Sequence, residues 1–150
     1  MRGVQLSLKG RALRLQSQRE HSRAELERKL APHEAEPGQL SRVLDELQAK
    51  GFINEQRVVD SVLHRRAGKL GAARIRQELM GKGLDAELVR GAVADLQPTE
   101  LARAGEVWRR RFDTPPADAA QRGKQARFLA ARGFGGDVIR RVLSGLPEEI

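Results

Sequence analysis

Apolar residues recur along this chain with the spacing of amphipathic α-helices. One stripe follows the i, i+3, i+4, i+7 pattern that places side chains on a single helix face: Leu40, Val43, Leu44 and Leu47. Leu, Ala, Arg, Glu and Gln dominate the sequence and favour helix, whereas Tyr is absent and the β-branched residues that favour strands are sparse. The pattern therefore predicts an all-α protein.

The same apolar pattern occurs three times. Adding 49 to the numbers of Leu26, Leu30 and that stripe leads only to apolar residues: Ile75, Leu79, Val89, Ala92, Val93 and Leu96. A further shift of 50 leads from the second copy to residues of matching type in a third copy: Leu129, Gly133, Phe134, Val138, Ile139, Leu143 and Leu146. Ile75 is an exception, because its counterpart is Gln125. A register kept over three copies indicates tandem repeats.

We predict three repeats of three helices each, at residues 1–51, 52–97 and 98–150. The predicted helices are 6–20, 22–30 and 38–50, then 55–67, 71–82 and 86–96, then 100–112, 118–132 and 136–146. Ser22 and Glu25 have the spacing of a capping box. Four further N-caps are predicted at Asn54, Asp85, Thr99 and Asp118. Helix ends with a left-handed glycine and a following apolar contact are predicted at Gly51-Phe52, Gly83-Leu84 and Gly133-Phe134.

The chain is basic, with 28 Lys and Arg against 20 Asp and Glu and a net charge of +8 spread over all three repeats. Arginine predominates among the cations, and its guanidinium group can bind phosphates or carboxylates through two hydrogen bonds. The charge suggests an anionic partner, with nucleic acid or a nucleoprotein as the first candidate. An ordinary solvated helical surface is the alternative.

No set of residues has the spacing of a catalytic or metal site, so we expect no enzyme, no cofactor and no small-molecule substrate. The chain has no cysteine, and no two of its histidines are four residues apart on one helix: His21, His33 and His64. No segment resembles a signal peptide, and no apolar run approaches the roughly 20 residues that span a bilayer. We therefore expect a cytoplasmic protein.

Two groups of cations are candidates for contact with a partner. The first surrounds the corner between the first two helices of the middle repeat, where no acidic residue occurs from His64 to Gln77: Arg65, Arg66, Lys69, Arg74 and Arg76, with Lys82 beyond them. The second flanks a loop of the third repeat: Arg109, Arg110, Arg111, Arg122, Lys124 and Arg127. The alternative is structural, because cations in the last turn of a helix also stabilise it through the helix dipole.

Three segments, one from each repeat, carry a resemblance to a known family. They are Arg19 to Leu26 (REHSRAEL), Gly71 to Leu79 (GAARIRQEL) and Arg127 to Phe134 (RFLAARGF). In this order and at repeat spacing, they resemble the RecX family of regulators of the RecA recombinase. Ala72 departs from the family pattern, which often has proline there.

The resemblance implies an elongated, curved array of three tandem three-helix repeats that lies along the groove of the RecA–DNA filament. It implies inhibition of the ATPase, strand-exchange and co-protease activities of RecA, in DNA repair and the SOS response. The expected partners are the RecA filament and, through nonspecific contact, single- or double-stranded DNA. We expect a monomer that binds no membrane.

The main alternative is a DNA-binding protein or transcription regulator of helix-turn-helix type, because short three-helix units also form such folds. A structural adaptor and an RNA-binding repeat protein are further alternatives. Inhibition of RecA on single-stranded DNA at sub-stoichiometric amounts of the chain would distinguish the first interpretation from all the others.

Overall fold

The computed structural model describes residues 5–145, and this part of the chain forms nine α-helices and no strand. The helices are α1 (Leu8–Gln18), α2 (Arg23–Leu30), α3 (Gln39–Ala49), α4 (Glu55–Arg66), α5 (Ala72–Gly81), α6 (Ala86–Leu96), α7 (Glu100–Arg111), α8 (Ala119–Ala131) and α9 (Gly136–Leu143). Two short 3₁₀ turns, Ala31–His33 and Gln97–Thr99, follow α2 and α6. The predicted all-α array of three-helix repeats is confirmed. Leu146, which the repeat pattern includes, lies outside the described residues.

Most of the predicted helix starts are capped as expected. Ser22 and Glu25 form a complete capping box at α2, in which each side chain accepts the backbone N–H of the other. Three further side chains accept N–H groups at the starts of α4, α6 and α8: Asn54, Asp85 and Asp118. Thr99 stands at the N-cap position of α7 as predicted, but its side chain accepts no N–H there. Its hydroxyl donates back to the Leu96 carbonyl, since the 3₁₀ turn leads directly into α7.

Left-handed glycines end helices at all three predicted positions, with φ of +84° at Gly51, +73° at Gly83 and +94° at Gly133. The expected apolar contact follows at the second and third of these ends, where Leu84 and Phe134 are buried. At the first end this contact is absent, because Phe52 is 46% exposed and Ile53 is buried in the core instead.

Each repeat has its own hydrophobic core. The first core runs from Leu8 to Ile53, the second from Val58 to Leu96 and the third from Ala104 to Leu143. No side chain of one cluster belongs to another within residues 5–145. The repeats are therefore held to each other by something other than a shared apolar interior.

The middle helices of the repeats stack head to tail, and this contact joins the second and third repeats. The start of α5 meets the end of α8, where Gly71 donates its N–H to the Arg132 carbonyl at 2.7 Å and Ala73 donates to Gly133 at 3.2 Å. The helices approach so closely that a Cβ on Gly71 would lie 2.4 Å from the backbone of Gly133. A side chain at this position would force the two repeats apart.

The first and second repeats meet at the equivalent place. The start of α2 meets the end of α5, where the Ser22 hydroxyl donates to the Lys82 carbonyl at 2.5 Å. A Cβ on Gly83 would lie 2.5 Å from the Cβ of Ala24. Ser22 is 49 residues before Gly71, and Gly83 is 50 residues before Gly133. The residues that form the joint therefore recur with the same spacing as the apolar pattern.

A buried ion pair ties α7 to the joint between the second and third repeats. Arg103 lies 2.6 Å from Glu100 and also donates to the carbonyls of Ala67 and Leu70, which follow α4. Glu100 accepts the N–H of Ala72, the first residue of α5. Proline has no N–H, so alanine at position 72 supplies a hydrogen bond that proline could not make.

Gln125, the polar exception in the repeat, is buried in the third repeat with both ends of its amide bonded. Its side-chain oxygen accepts from the Trp108 indole at 2.7 Å, and its nitrogen donates to the Thr114 carbonyl at 3.0 Å. Gln125 therefore fastens the α7–α8 loop to both helices, which the apolar residue of the other repeats could not do.

Glu25 lies at the joint between the first two repeats, with its side chain only 6% exposed. Burial alone would raise the pKa of this carboxyl, but the hydrogen bonds from Arg19 and the Ser22 N–H and the charge of Lys82 lower it to about 2. The folded chain therefore holds Glu25 ionised where the unfolded chain would protonate it.

Replacing Gly71 with Ala should lower the free energy of unfolding by roughly 1–3 kcal/mol, because the new Cβ overlaps the backbone of the next repeat. Gly91→Ala is the matched control, since no atom lies within 4 Å of its Cβ position. The control should raise the stability by about 0.5–1 kcal/mol, as alanine favours helix. Urea unfolding of both variants measures the difference, and equal effects would contradict the close approach.

Glu25→Gln should flatten the acid side of the stability profile. As the pH falls from about 4.5 to about 2, the unfolded wild-type chain binds a proton that the folded chain does not, and stability drops by up to ~1.4 kcal/mol per pH unit. The variant cannot titrate there. Urea unfolding across this interval should show a shallower slope than for Glu27→Gln, an exposed neighbour paired with Arg23. Parallel profiles would contradict the lowered pKa.

Candidate partner-binding surface

A concave surface at the joint of the second and third repeats collects cations from both. Lys69 comes from the corner after α4, Arg110 and Arg111 from the last turn of α7, and Arg132 from the end of α8. We call this surface the basic groove; its volume is about 230 Å³ and its lining is Gly68, Lys69, Val107, Arg110, Arg111, Phe128 and Arg132. The fold thus brings Lys69 of the first predicted group together with Arg110 and Arg111 of the second, although Lys69 and Arg110 are 41 residues apart in the chain.

Aromatic rings hold two of the guanidinium groups in place. The Arg132 guanidinium lies 4.7 Å from the centre of the Phe128 ring, and that of Arg111 lies 5.6 Å from the same ring. Phe112 packs edge-on against Phe128, with ring centres 5.3 Å apart. A ring face attracts a cation without neutralising it, so both groups are positioned and keep their full charge.

The basic groove has no internal counter-charge. In the part of the chain that the structure describes, none of its four cations forms an ion pair. The C-terminal ends of α7 and α8 offset a fraction of this charge through their dipoles, by about 0.3–1 kcal/mol for each exposed cation. The remaining repulsion between like charges would be relieved by a bound anion.

The other cations predicted at the corner after α4 lie in different surroundings. Arg65 and Arg66 lie 3.9 Å and 3.1 Å from Glu78, an acid just beyond the stretch that is free of acidic residues. Arg76 lies apart from the basic groove, in a second groove at the same joint that also contains Glu100 and Asp137. Among the predicted cations of this corner, Lys69 alone reaches the basic groove.

Two of the predicted contact residues serve the joints between repeats. Arg74, near the start of α5, donates to the Ala131 carbonyl at 2.7 Å. This hydrogen bond supplies a partner for a carbonyl group at the end of α8. The side chain of Lys82 is 13% exposed and lies 3.5 Å from Glu25. Both cations hold one repeat against the next.

The second group of cations is also spread over several surfaces. Arg109 pairs with Glu106 at 3.4 Å. Arg122 lies in a groove with Asp137, Arg140 and Arg141. Lys124 and Arg127 are exposed on α8 and have no ion pair within residues 5–145.

Arg132 is a groove residue that sequence reasoning missed. It stands alone in the chain, five residues from Arg127 and directly before the helix-ending Gly133, so no charge cluster marks it. Two signals could have found it: its position 50 residues after Lys82, which lies at the equivalent joint, and its place in the segment Arg127 to Phe134 that carries the family resemblance.

Two further properties concern the described residues alone. Among residues 5–145, no group of three or more His, Asp or Glu side chains has an arrangement that could hold a metal ion. None of the helices in this range combines the length and apolar character required to cross a bilayer.

Family models match the second and third repeats. Residues 54–93 match the model of the second three-helix domain of RecX, and residues 99–143 match that of the third. Each match lies within one of the structural repeats described above.

Curated proteins resemble the chain over nearly its whole length. Regulatory protein RecX of Leptothrix cholodnii is 59% identical over 93% of this chain and 88% of that protein. The protein of the same name from Ralstonia nicotianae is 49% identical over 93% of this chain and 88% of its own length. The crystal structure of RecX from Lactobacillus salivarius has a TM-score of 0.72 at 21% identity, covering 91% of this chain and 92% of that one, and shows the same fold.

The structural role of Arg74 can be separated from partner binding. Arg74→Gln should lower the free energy of unfolding by about 1 kcal/mol, because the Ala131 carbonyl loses its hydrogen bond. Arg76→Gln, on the same helix, should leave it unchanged, since no hydrogen bond of Arg76 is present within residues 5–145. Thermal and urea unfolding of the two variants provide the measurement. Equal stability of the two would contradict a structural role for Arg74.

Proposed function

Because the chain belongs to the RecX family of regulatory proteins, we propose that it binds the RecA–DNA filament and inhibits the recombinase. Inhibition extends to the ATPase, strand-exchange and co-protease activities, and its setting is DNA repair and the SOS response. The chain acts by occupying a surface of the filament as a monomer, with no cofactor and no chemistry of its own.

The basic groove supports this proposal and identifies the residues that would contact the filament. Lys69, Arg110, Arg111 and Arg132 present uncompensated charge from two adjacent repeats, and the DNA within the filament is a polyanion. Complementary charge speeds encounter and sets orientation more than it adds affinity. A groove at the joint of two repeats also fits a partner that lies along the array.

The proposed contact surface is narrower than the two predicted groups of cations. Arg74 and Lys82 already have partners within the chain, and Arg65, Arg66 and Arg109 have acidic neighbours. Removing any of these would change the stability or the internal ion pairs together with binding. Arg110 and Arg111 carry no such complication, so they are the residues to test.

We expect Arg110→Gln with Arg111→Gln to raise the concentration needed for half-inhibition of RecA by roughly tenfold or more, equivalent to about 1.4 kcal/mol. The measurement is ATP hydrolysis by RecA on single-stranded DNA with increasing amounts of the chain. Arg28→Gln with Arg42→Gln is the matched control, because both arginines are exposed on the first repeat and the change in charge is the same.

Three outcomes would count against the proposal. If the wild-type chain does not inhibit RecA, the proposed function fails. If both double variants inhibit like the wild type, the groove is a solvated surface. If the Arg110 and Arg111 variant loses affinity for DNA of one particular sequence and still inhibits RecA, the helix-turn-helix alternative is favoured.

A further inference from the structure

A further cationic groove lies on the first repeat, away from the basic groove. Arg11 and Arg14 stand one helical turn apart on α1, and Lys29 faces them from α2. The groove has a volume of about 300 Å³ and is lined by Leu6, Arg11, Arg14, Leu15, Gln18, Lys29, Leu30 and His33. We call it the first-repeat groove.

A buried histidine positions Lys29 in this groove. His21 is 1% exposed, its Nδ1 lies 3.0 Å from the Arg19 carbonyl and its Nε2 lies 3.0 Å from the Lys29 ammonium. Because Nδ1 faces an acceptor and Nε2 faces a donor, the ring is the neutral form with its proton on Nδ1. Burial lowers the pKa of His21 and favours that form.

The contact with His21 orients Lys29 without reducing its charge. A neutral imidazole accepts one of the three ammonium protons, and the other two remain available to a ligand. Within residues 5–145, Arg11, Arg14 and Lys29 form no ion pair with a carboxylate. Three cations from two helices therefore converge on one groove with their charge uncompensated, as an anion-binding site requires.

The two grooves together indicate the class of anion. Guanidinium groups bind phosphate oxygens through paired hydrogen bonds, and the exposed Leu6 and half-buried Leu15 offer an apolar surface beside them. A small anion would need only one such site. Two cationic grooves, on different repeats of one array, match a ligand that repeats its negative charges along its length.

We propose that the first-repeat groove binds the phosphate backbone of a nucleic acid, independently of the basic groove. Arg11 and Arg14 bind the phosphate oxygens, Lys29 supplies a third charge, and His21 is a positioning residue. This contact requires no recombinase, so its test does not depend on the proposed function.

The test is the salt dependence of binding to a fluorescein-labelled single strand of mixed sequence, followed by anisotropy with no recombinase present. Arg14→Gln with Lys29→Gln should lower the slope of log affinity against log salt by about 1.4, since each phosphate contact on a single strand contributes about 0.7. The same decrease should appear in the Arg110→Gln, Arg111→Gln background, because the grooves lie on different repeats. Lys29→Arg keeps the charge and should keep the slope.

The control is again Arg28→Gln with Arg42→Gln, in which Arg28 is the helix neighbour of Lys29 and is outside the groove. Circular dichroism of each variant is the control for folding, and the helical content should equal that of the wild type. An unchanged slope in the Arg14, Lys29 variant would overturn the proposal. So would an equal decrease in the control, which would show a response to net charge alone. Reduced inhibition of RecA with unchanged DNA binding would assign the groove to protein carboxylates and also overturn it.

Discussion

The head-to-tail contact between the middle helices is the constraint on which the rest of the structure depends. A helix ends with carbonyl groups that lack internal partners and begins with N–H groups in the same condition. At the joint of the second and third repeats these ends satisfy each other, as Gly71 donates to Arg132 and Ala73 to Gly133. The dipoles of the two helices are aligned head to tail, and their electrostatic attraction also stabilises the contact. The contact requires backbone against backbone, which is why glycine occupies both sides.

The repeats depend on this contact because each encloses its apolar residues in its own core. Hydrogen bonds and charged groups complete the two joints in different ways. Glu25, Lys82 and Ser22 connect the first two repeats through side chains. The second and third repeats are connected through the backbone and through the buried pair of Glu100 with Arg103. A repeat array can therefore keep one geometry while using different chemistry at each joint.

Two kinds of cation can be distinguished in the chain, those that hold the joints between repeats and those that line the grooves. Arg74, Lys82 and Arg103 are held by carbonyls or carboxylates at the joints, and changing them would disturb how the repeats are stacked. In the basic groove, Arg111 and Arg132 are instead positioned by the neutral Phe128 ring, and in the first-repeat groove Lys29 is positioned by the neutral His21. Neutral supports leave the charge available to a partner, which is the physical basis for assigning these grooves to binding.

The sequence by itself determined the helices, their number and the repeat, because apolar spacing, caps such as Asn54 and left-handed glycines act within a few residues of chain. It also indicated an anionic partner, since net charge depends on composition alone. Only the tertiary structure decided which cations meet: Arg74 reaches a carbonyl 57 residues away, and Ser22 one that is 60 away. Local patterns carry no information about such contacts, because the stacking of one repeat on the next sets them. For that reason Lys82 reads as a free cation in the sequence and Arg132 as an isolated one, although the fold buries the first and adds the second to a groove.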